Sequence, residues 1–249
     1  MTPTHSSPIL VTGGTGTLGR LVVDRLRAAG HGVRVLSRQA HDGPDFVAGD
    51  LATGDGIDAA VTGADVIVHC AGSAKGDEDK ARTLVAAASR AGASPHVVNI
   101  SVVGADRIPQ AGRLDRAMFG YFGAKLAAER VVAESGLPWT ALRATQFHDL
   151  VLKVASGMAK LPVIPVPSGF RFQPVDAGEV ADRMAELALD APAGLVPDLG
   201  GPTVYPLADL VRSYLDAQGK HRLLVPVRIP GKAARAVRGV AASGFERHL

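Results

Sequence analysis

The amino-acid sequence predicts an α/β protein with a parallel sheet at its centre. Short runs rich in valine, isoleucine and leucine recur along the chain, and longer segments with helical spacing of apolar residues separate them. Strands buried on both faces have this aliphatic character, and parallel strands need helical crossovers between them. Several of the helical segments end at Gly, Ala-Gly or Ser-Gly, which stop helices. This order is typical of a Rossmann-type, doubly wound sheet.

The first two thirds of the chain supply most of the predicted elements. The expected strands carry the aliphatic residues of buried strands and cover residues 8–12, 32–37, 45–48, 64–70, 96–101 and 139–144. The expected helices show apolar residues at helical spacing and cover residues 18–29, 56–61, 77–91, 114–134 and 176–189. In the helix that begins at Asp77, the acids Asp77, Glu78 and Asp79 are interpreted as first-turn residues that complement the helix dipole.

The alternation changes after Asp149. Residues 161–169 read LPVIPVPSG, and these prolines are expected to break regular structure. We therefore expect residues 1–149 to form the core, and residues 150–249 to complete the sheet edge and add a small lobe within one structural domain. Strands at residues 194–198 and 222–225, and a helix at residues 206–217, are predicted for the second part.

Composition and charge exclude several classes of protein. Hydrophobic residues make up 47% of the chain and aromatic residues 4%, so a compact, aliphatic core is expected. No apolar run reaches bilayer length and the N-terminus lacks the features of a secretory signal, so we expect a cytoplasmic protein with no membrane partner. Cys70 is the single cysteine, which excludes an internal disulfide, and the histidines lack ligand spacing, so no metal is expected.

The positive charge is concentrated at the C-terminal end. Residues 218–249 contain seven lysine or arginine residues and one glutamate, and apolar residues at helical spacing predict an amphipathic last helix there. Such a helix could contact an anionic membrane or nucleic acid. A solvated outer face on a docked helix is the favoured interpretation, so no nucleic-acid partner is expected.

The strongest functional signal is a glycine-rich turn between the first strand and the first helix. The sequence TGGTGTLG places Gly13, Gly14, Gly16 and Gly19 there, with Thr15, Thr17 and Leu18 between them. Glycines allow a tight turn, a close approach to a pyrophosphate and close seating of the helix, whose N-terminus favours anions. This predicts a dinucleotide site in residues 1–149, with a purely structural turn as the alternative.

The end of the second strand favours NADP(H) over NAD(H). An acid there would bind the ribose 2′-hydroxyl of NAD and repel a 2′-phosphate. The sequence has Ser37 and Arg38 instead, and a guanidinium suits phosphate. The alternative is that Arg38 is a surface cation without a ligand.

Two further strand ends are expected to line the same site. The segment Gly49-Asp50-Leu51 follows the third strand, and the segment His69-Cys70-Ala71-Gly72 follows the fourth. Ligands of open parallel sheets bind outside the carboxyl ends of the strands. Asp50 is suited to accept the adenine amino group, although each of these residues taken singly fits an ordinary turn, and Cys70 also fits a small buried residue at a strand end.

Candidate catalytic residues follow the fifth strand. Ser101 ends that strand, and Tyr121 and Lys125 lie four positions apart on the next helix and so share a face. A tyrosine hydroxyl can donate a proton to a developing alkoxide, while a nearby ammonium lowers its pKa and anchors a ribose. Ser101 is suited to hold the substrate oxygen. These residues predict carbonyl reduction.

Six segments together carry a family resemblance: residues 12–19, 49–51, 101, 121–125, 142–149 and 172–176. On them the chain resembles an atypical short-chain dehydrogenase/reductase of the NmrA-like and NAD(P)-dependent epimerase-like branch. The resemblance implies that Tyr121 is the general acid/base, that Lys125 binds the nicotinamide ribose, that Ser101 is the substrate-side hydroxyl, and that four consecutive residues lie near the nicotinamide. Those four residues are Ala144, Thr145, Gln146 and Phe147.

The predicted function is NADPH-dependent reduction of a carbonyl or quinone-like small molecule, with residues 150–249 forming the substrate lobe. One departure from the family pattern leaves a role open, because Ser101 and Tyr121 are 20 positions apart, a short separation for a catalytic pair. Two other functions stay open. One is a non-catalytic NADP(H)-binding redox sensor of the NmrA-like type, and the other is a sugar-nucleotide epimerase.

Overall fold

A computed structural model describes residues 7–39, 41–72, 76–92, 94–109 and 113–240. Its contacts divide the chain into two compact units. The first draws on Met1–Ser101, Ala124–Arg143 and Ala177–Pro197, and the second on Val102–Gly123, Ala144–Asp176 and Asp198–Leu249. The division at residue 149 and the role of residues 150–249 as a substrate lobe stay predictions.

Strands and helices alternate through most of the described chain. In order they are β1 (Ile9–Thr12), α1 (Thr17–Ala28), β2 (Val33–Ser37), β3 (Phe46–Ala48), α2 (Ile57–Val61), β4 (Val66–His69), α3 (Asp77–Arg90), β5 (His96–Val102), α4 (Arg113–Ala133), β6 (Trp139–Ala144), α5 (His148–Met158), β7 (Val163–Pro167), β8 (Arg171–Phe172), α6 (Ala177–Leu189), β9 (Gly194–Leu195), β10 (Tyr205–Pro206), α7 (Leu207–Ala217), β11 (Leu223–Val227) and α8 (Lys232–Val240).

A parallel sheet is the centre of the first unit. Within the described residues it has seven strands in the order β3-β2-β1-β4-β5-β6-β9. The order reverses between β1 and β4, so the polar ends of these two strands meet at a topological switch point. The predicted fold class, a Rossmann-type doubly wound sheet, is confirmed, and the strands predicted up to residue 144 all form within two residues of their expected bounds.

Aliphatic side chains pack together across neighbouring strands of the first unit's sheet. Val11 of β1 lies opposite Val35 of β2 and Val68 of β4, and all three are buried. On one side, α2 and α3 bury Ile57, Leu84 and neighbouring residues against the sheet. Side chains buried on both faces leave the strand ends as the place where polar groups reach solvent.

A second apolar core belongs to the second unit. It collects buried side chains from α5, β7, α7 and α8, among them Ile164, Val211 and Ala233. Two small sheets support it, because β7 pairs with β11 in parallel and β8 pairs with β10 antiparallel. The predicted last helix forms as α8, and Ala233 and Ala234 are buried in this core, as expected for a docked helix. Its predicted continuation into residues 241–249 lies outside the described residues.

The structure corrects the expectation that residues 161–169 lack regular structure. Pro165 and Pro167 lie inside β7. Within the described chain β7 pairs with β11, so its other edge needs no ladder hydrogen bonds and tolerates a residue without an N–H. Helix α5 was not predicted either, although Val151 and Ala155 have the i, i+4 spacing of its buried face.

No helix in the described part of the chain combines the length and apolarity needed to span a bilayer.

Candidate functional site

The glycine turn between β1 and α1 has a backbone that larger residues would not allow. Gly13 has φ +68°, and a Cβ there would lie 2.7 Å from the backbone nitrogen of Ala71. A Cβ on Gly19 would collide with the carbonyl oxygen of Gly13, which accepts a hydrogen bond of 2.9 Å from the Gly16 N–H. The turn is therefore compact and packs against the end of β4, as the glycine pattern predicts.

A cleft of about 320 Å³ lies at this edge of the sheet. It is lined by ten of the predicted cofactor residues: Gly13, Thr15, Gly16, Ser37, Arg38, Asp50, Leu51, Cys70, Ala71 and Gly72. Four residues of the glycine motif, Gly14, Thr17, Leu18 and Gly19, do not line it. Of these, Gly14, Leu18 and Gly19 are buried. Gly49, which was predicted at the same strand end as Asp50, also lines the cleft. Leu36, Ala52 and Lys80 line it without having been predicted.

The end of β2 presents a cation to this cleft. Ser37 is buried, and its hydroxyl oxygen accepts a hydrogen bond from the Gln39 N–H and lies 2.9 Å from His41 Nε2. Arg38 is exposed beside it. The guanidinium thus stands at a place where an acid would select a free ribose.

The end of β3 contributes a turn. One carboxylate oxygen of Asp50 accepts a hydrogen bond of 2.9 Å from the Ala52 N–H, and the Asp50 carbonyl accepts one from the Gly54 N–H. These bonds fix the carboxylate at the cleft wall, and its other oxygen is the one suited to a ligand.

The end of β4 carries two neutral groups. His69 is buried with Nδ1 2.7 Å from Thr12 Oγ1. Burial first, and then the charge of Lys125, lowers the pKa of His69 to about 4. Burial raises the pKa of the Cys70 thiol to about 12, so the thiol stays protonated at neutral pH and is a poor nucleophile.

Lys125 on α4 lies against this strand end, in the first unit. Its side chain is 10% exposed, and its Nζ lies 3.0 Å from Oδ2 of Asp77, which is 1% exposed. A Cβ added to Gly72 would lie 2.6 Å from the same Nζ. The lysine predicted to bind a ribose is therefore held against Gly72 of the cleft wall, although Lys125 does not line the cleft itself. Asp77 is thus more than a first-turn acid. The local pattern could not show this, because the partners are 48 positions apart.

Ser101 and Tyr121, the other two candidate catalytic residues, have different surroundings. Ser101 lies in β5 of the first unit with its hydroxyl buried, and within the described chain that hydroxyl has no hydrogen-bond partner. Tyr121 belongs to the second unit, is 40% exposed, and contacts Phe122 edge to face with ring centroids 5.8 Å apart. Tyr121 and Lys125 both lie on α4, as predicted.

The residues predicted near the nicotinamide, 144–147, form a hydrogen-bonded connection in the second unit. The Ala144 carbonyl accepts from the Val103 N–H, the Gln146 carbonyl accepts from the Val175 N–H, and Phe147 begins α5. Thr145 Oγ1 donates to the Gln173 carbonyl at 2.5 Å. Gln173 itself is buried, so this connection is rigidly held.

Among the described residues, the structure forms no group of three or more histidine, cysteine, aspartate or glutamate side chains that could hold a metal ion. The absence of a metal stays a prediction.

Comparison with known proteins assigns the chain to a family. A family model described as NAD(P)H-binding matches residues 13–189, which is more than half of the chain and includes the glycine turn. The chain belongs to the NAD(P)H-binding family. The predicted resemblance is confirmed at the level of this NAD(P)H-binding family. An epimerase and a quinone oxidoreductase of known structure share the fold of this NAD(P)H-binding protein.

Curated relatives of the NAD(P)H-binding chain match over part of their own length. An uncharacterised protein of Mycobacterium tuberculosis is 30% identical over 189 residues, which are 73% of this chain and 20% of that protein. A (4-alkanoyl-5-oxo-2,5-dihydrofuran-3-yl)methyl phosphate reductase of Streptomyces griseus is 30% identical over 162 residues, which are 63% of this chain and 54% of the reductase. The chain thus spans a fifth of the first relative and about half of the second.

Solved structures share the fold of the NAD(P)H-binding chain. An NADPH-dependent quinone oxidoreductase of Escherichia coli, complexed with NADPH, has a TM-score of 0.73 at 20% identity and covers 94% of this chain and 87% of its own. A UDP-glucose 4-epimerase of Thermus thermophilus, complexed with NAD, has a TM-score of 0.67 at 18% identity, with 97% and 94% covered. At this level of identity the likeness concerns the fold, and the two neighbours hold different cofactors.

Proposed function

We propose that the protein is an NADPH-dependent oxidoreductase that reduces a carbonyl or quinone-like small molecule, with Tyr121 as the proton donor. The observation that carries the proposal is the buried Lys125 ammonium, which lies against Gly72 at the wall of the cleft and on the same helix as Tyr121. A purely structural helix has no need of a buried ammonium at the dinucleotide cleft, because burying a charge is costly.

The cofactor would lie along the carboxyl ends of β1, β2 and β4. The N–H groups of the glycine turn and the start of α1 suit a diphosphate, and α1 has no acid in its first turn to repel it. Arg38 would pair with the 2′-phosphate of NADPH, and Asp50 would accept a hydrogen bond from the adenine amino group. These roles make NADPH the preferred coenzyme.

The reaction needs one hydride and one proton. Bound NADPH would supply the hydride to the carbonyl carbon or quinone ring. The Tyr121 hydroxyl would give its proton to the oxygen that becomes negative, and solvent would then reprotonate the phenolate. Lys125 would hold the ribose, and its positive charge would favour the phenolate form of Tyr121. The Ser101 hydroxyl is suited to donate a hydrogen bond to the same substrate oxygen.

A reductase among the curated relatives and a quinone oxidoreductase among the structural neighbours support this reaction class. These two activities belong to other proteins, so the substrate of this chain has to be found by a screen. We expect small aldehydes, ketones and quinones to be the productive classes, because each offers an electrophilic carbon and an oxygen that accepts a proton.

The deciding experiment compares Tyr121→Phe with Tyr205→Phe. Tyr205 is similarly exposed at 42% and lies on β10, so its substitution is the matched control. We expect Tyr121→Phe to lower kcat about a hundredfold or more without changing NADPH affinity, because general acid catalysis contributes about that much. Tyr205→Phe should keep both values.

Two results would contradict the proposal. Equal turnover by the parent and Tyr121→Phe would show that Tyr121 is not the proton donor. Tight NADPH binding without oxidation or reduction of any compound in a broad carbonyl and quinone screen would instead indicate a redox sensor. An epimerase would interconvert nucleotide sugars without net consumption of NADPH.

A further inference from the structure

Asp77 is a buried carboxylate at the first position of α3. The next two acids of the same turn are not buried. Glu78 pairs with Arg82 on the surface, and Asp79 is exposed. A helix N-terminus favours an acid at any of these three positions, so the dipole does not explain why Asp77 in particular is buried. Burial of a carboxylate is costly unless it is paired, so its partners explain its place.

Two ammonium groups surround this carboxylate. Lys125 Nζ lies 3.0 Å from Oδ2, and Lys80 Nζ lies 3.5 Å from Oδ1. The lysines come from different helices, α4 and α3. One carboxylate therefore compensates part of the positive charge of two lysines.

The paired groups lie beside the cleft of the first unit. Lys80 and Gly72 both line the cleft, and the Lys125 ammonium is so close to Gly72 that a Cβ there would meet Nζ at 2.6 Å and Asp77 Oδ2 at 3.4 Å. Neither Asp77 nor Lys125 lines the cleft itself, and both lie next to Gly72, which does. Asp77 can therefore orient the Lys125 ammonium beside the cleft without facing an anionic ligand there.

We propose that Asp77 is a positioning residue, whose buried carboxylate holds the Lys125 ammonium against Gly72 so that it meets bound NADPH. A lysine has four rotatable bonds and loses considerable side-chain entropy when it is fixed. An ion pair at 3.0 Å in a buried place supplies the restraint before the coenzyme arrives. The inference rests on the proposed function for the identity of the coenzyme.

The test is a double-mutant cycle on NADPH affinity, with Asp77→Asn, Lys125→Met and the two together. Asp77→Asn keeps the size of the side chain and removes its charge. We expect it to weaken NADPH binding about tenfold, a typical loss for one charge-assisted contact. In the Lys125→Met background we expect the same change to alter affinity by less than about twofold, because there is no ammonium left to orient.

Asp79→Asn is the matched control. It makes the same chemical change in the same turn of α3, and Asp79 is exposed. We expect its NADPH affinity to equal that of the parent. If Asp77→Asn does not fold, Asp77→Glu replaces it in the cycle. We expect it to weaken NADPH binding as well, because the carboxylate moves by one methylene and no longer holds the Lys125 ammonium against Gly72.

Two results would overturn the inference. One is Asp77→Asn binding NADPH as tightly as the parent. The other is an equal loss of affinity in the presence and absence of Lys125, which would mean that Asp77 acts on the fold in general. If Asp77 and Lys125 are coupled in NADPH binding but the protein reduces no substrate, the inference stands and the proposed reductase is contradicted. If turnover depends on Tyr121 but the two residues are not coupled, only the inference is contradicted. A parent that binds no NADPH would overturn both.

Discussion

At the scale of single residues, His69 is a buried histidine next to the cleft, and its titration can be measured. Its ring is buried at the end of β4 and contacts Thr12 at the end of β1. These two strands flank the switch point of the sheet, where the glycine turn begins. A neutral imidazole fits this place, because burial first, and then the nearby charge of Lys125, lowers the pKa of His69.

The folded protein should lose stability when His69 becomes protonated. Its pKa falls from 6.5 to about 4 on folding, so between these values the unfolded chain binds more protons than the folded one. The free energy of unfolding therefore drops as pH falls from 6.5 towards 4, by up to about 3 kcal/mol from this residue. Urea unfolding of the parent and His69→Asn across that range measures it.

In His69→Asn we expect a shallower fall than in the parent, because the titrating group is gone. His221→Gln is the control, since His221 is exposed and its loss should leave the pH dependence of the parent unchanged. Parallel curves for the parent and His69→Asn would contradict this account of the buried imidazole.

At the level of elements, the sequence predicted those whose signal is local. Aliphatic runs identified the strands from β1 to β6, and the glycines identified the β1–α1 turn, because both patterns follow from backbone geometry and burial. Strand β7 was missed because prolines such as Pro165 and Pro167 normally stop a strand. Its partner strand β11 lies 60 positions later in the sequence, since Val163 pairs with Leu223, and so distant a partner leaves no local signal. The first-turn position predicted for Asp77 is confirmed. Its pairing with Lys125 could not be predicted from the local pattern, since Lys125 lies on another helix.

The glycine turn permits a prediction about an element. Gly19→Ala puts a Cβ against the carbonyl oxygen of Gly13, so α1 must move away from the turn. We expect a loss of about 1–3 kcal/mol in the free energy of unfolding, the usual range for overpacking, together with loss of coenzyme binding. Chemical denaturation and NADPH titration of the same preparation give both values.

Gly157→Ala in α5 is the matched control. No atom lies within 4 Å of a Cβ added there, so alanine should be neutral or stabilise the helix by about 1 kcal/mol or less. A Gly19→Ala protein as stable as the parent, with unchanged NADPH affinity, would show that the close approach of α1 to the turn is not required.

At the scale of the whole molecule, the two units account for what the sequence could and could not predict. The first unit is built mainly from residues 1–101, and its parallel sheet was predicted almost completely. The second unit combines segments from three regions of the chain around the core that contains Ile164, Val211 and Ala233. Its contacts join distant segments through small sheets and prolines, which leave no periodic signal.

The charge of the molecule follows the same division. The basic C-terminal segment contributes α8, where Ala233 and Ala234 face the core and Arg235 is exposed. The positive charge on which the proposed function depends lies elsewhere. Arg38 and Lys80 line the first unit's cleft, and Lys125 lies against Gly72 of its wall. The proposed function therefore depends on local charges at strand ends and not on the net charge of the chain.

The most direct test of the account is calorimetric titration of the folded protein with NADPH and with NADH, repeated for Arg38→Gln and for Arg212→Gln as an exposed control on α7. We predict that the parent and Arg212→Gln bind NADPH about tenfold or more tightly than NADH, and that Arg38→Gln removes this difference by weakening NADPH binding while NADH binding is kept. Heat of binding with neither coenzyme, or equal affinity of the parent for both, would contradict the assignment of the cleft to NADPH.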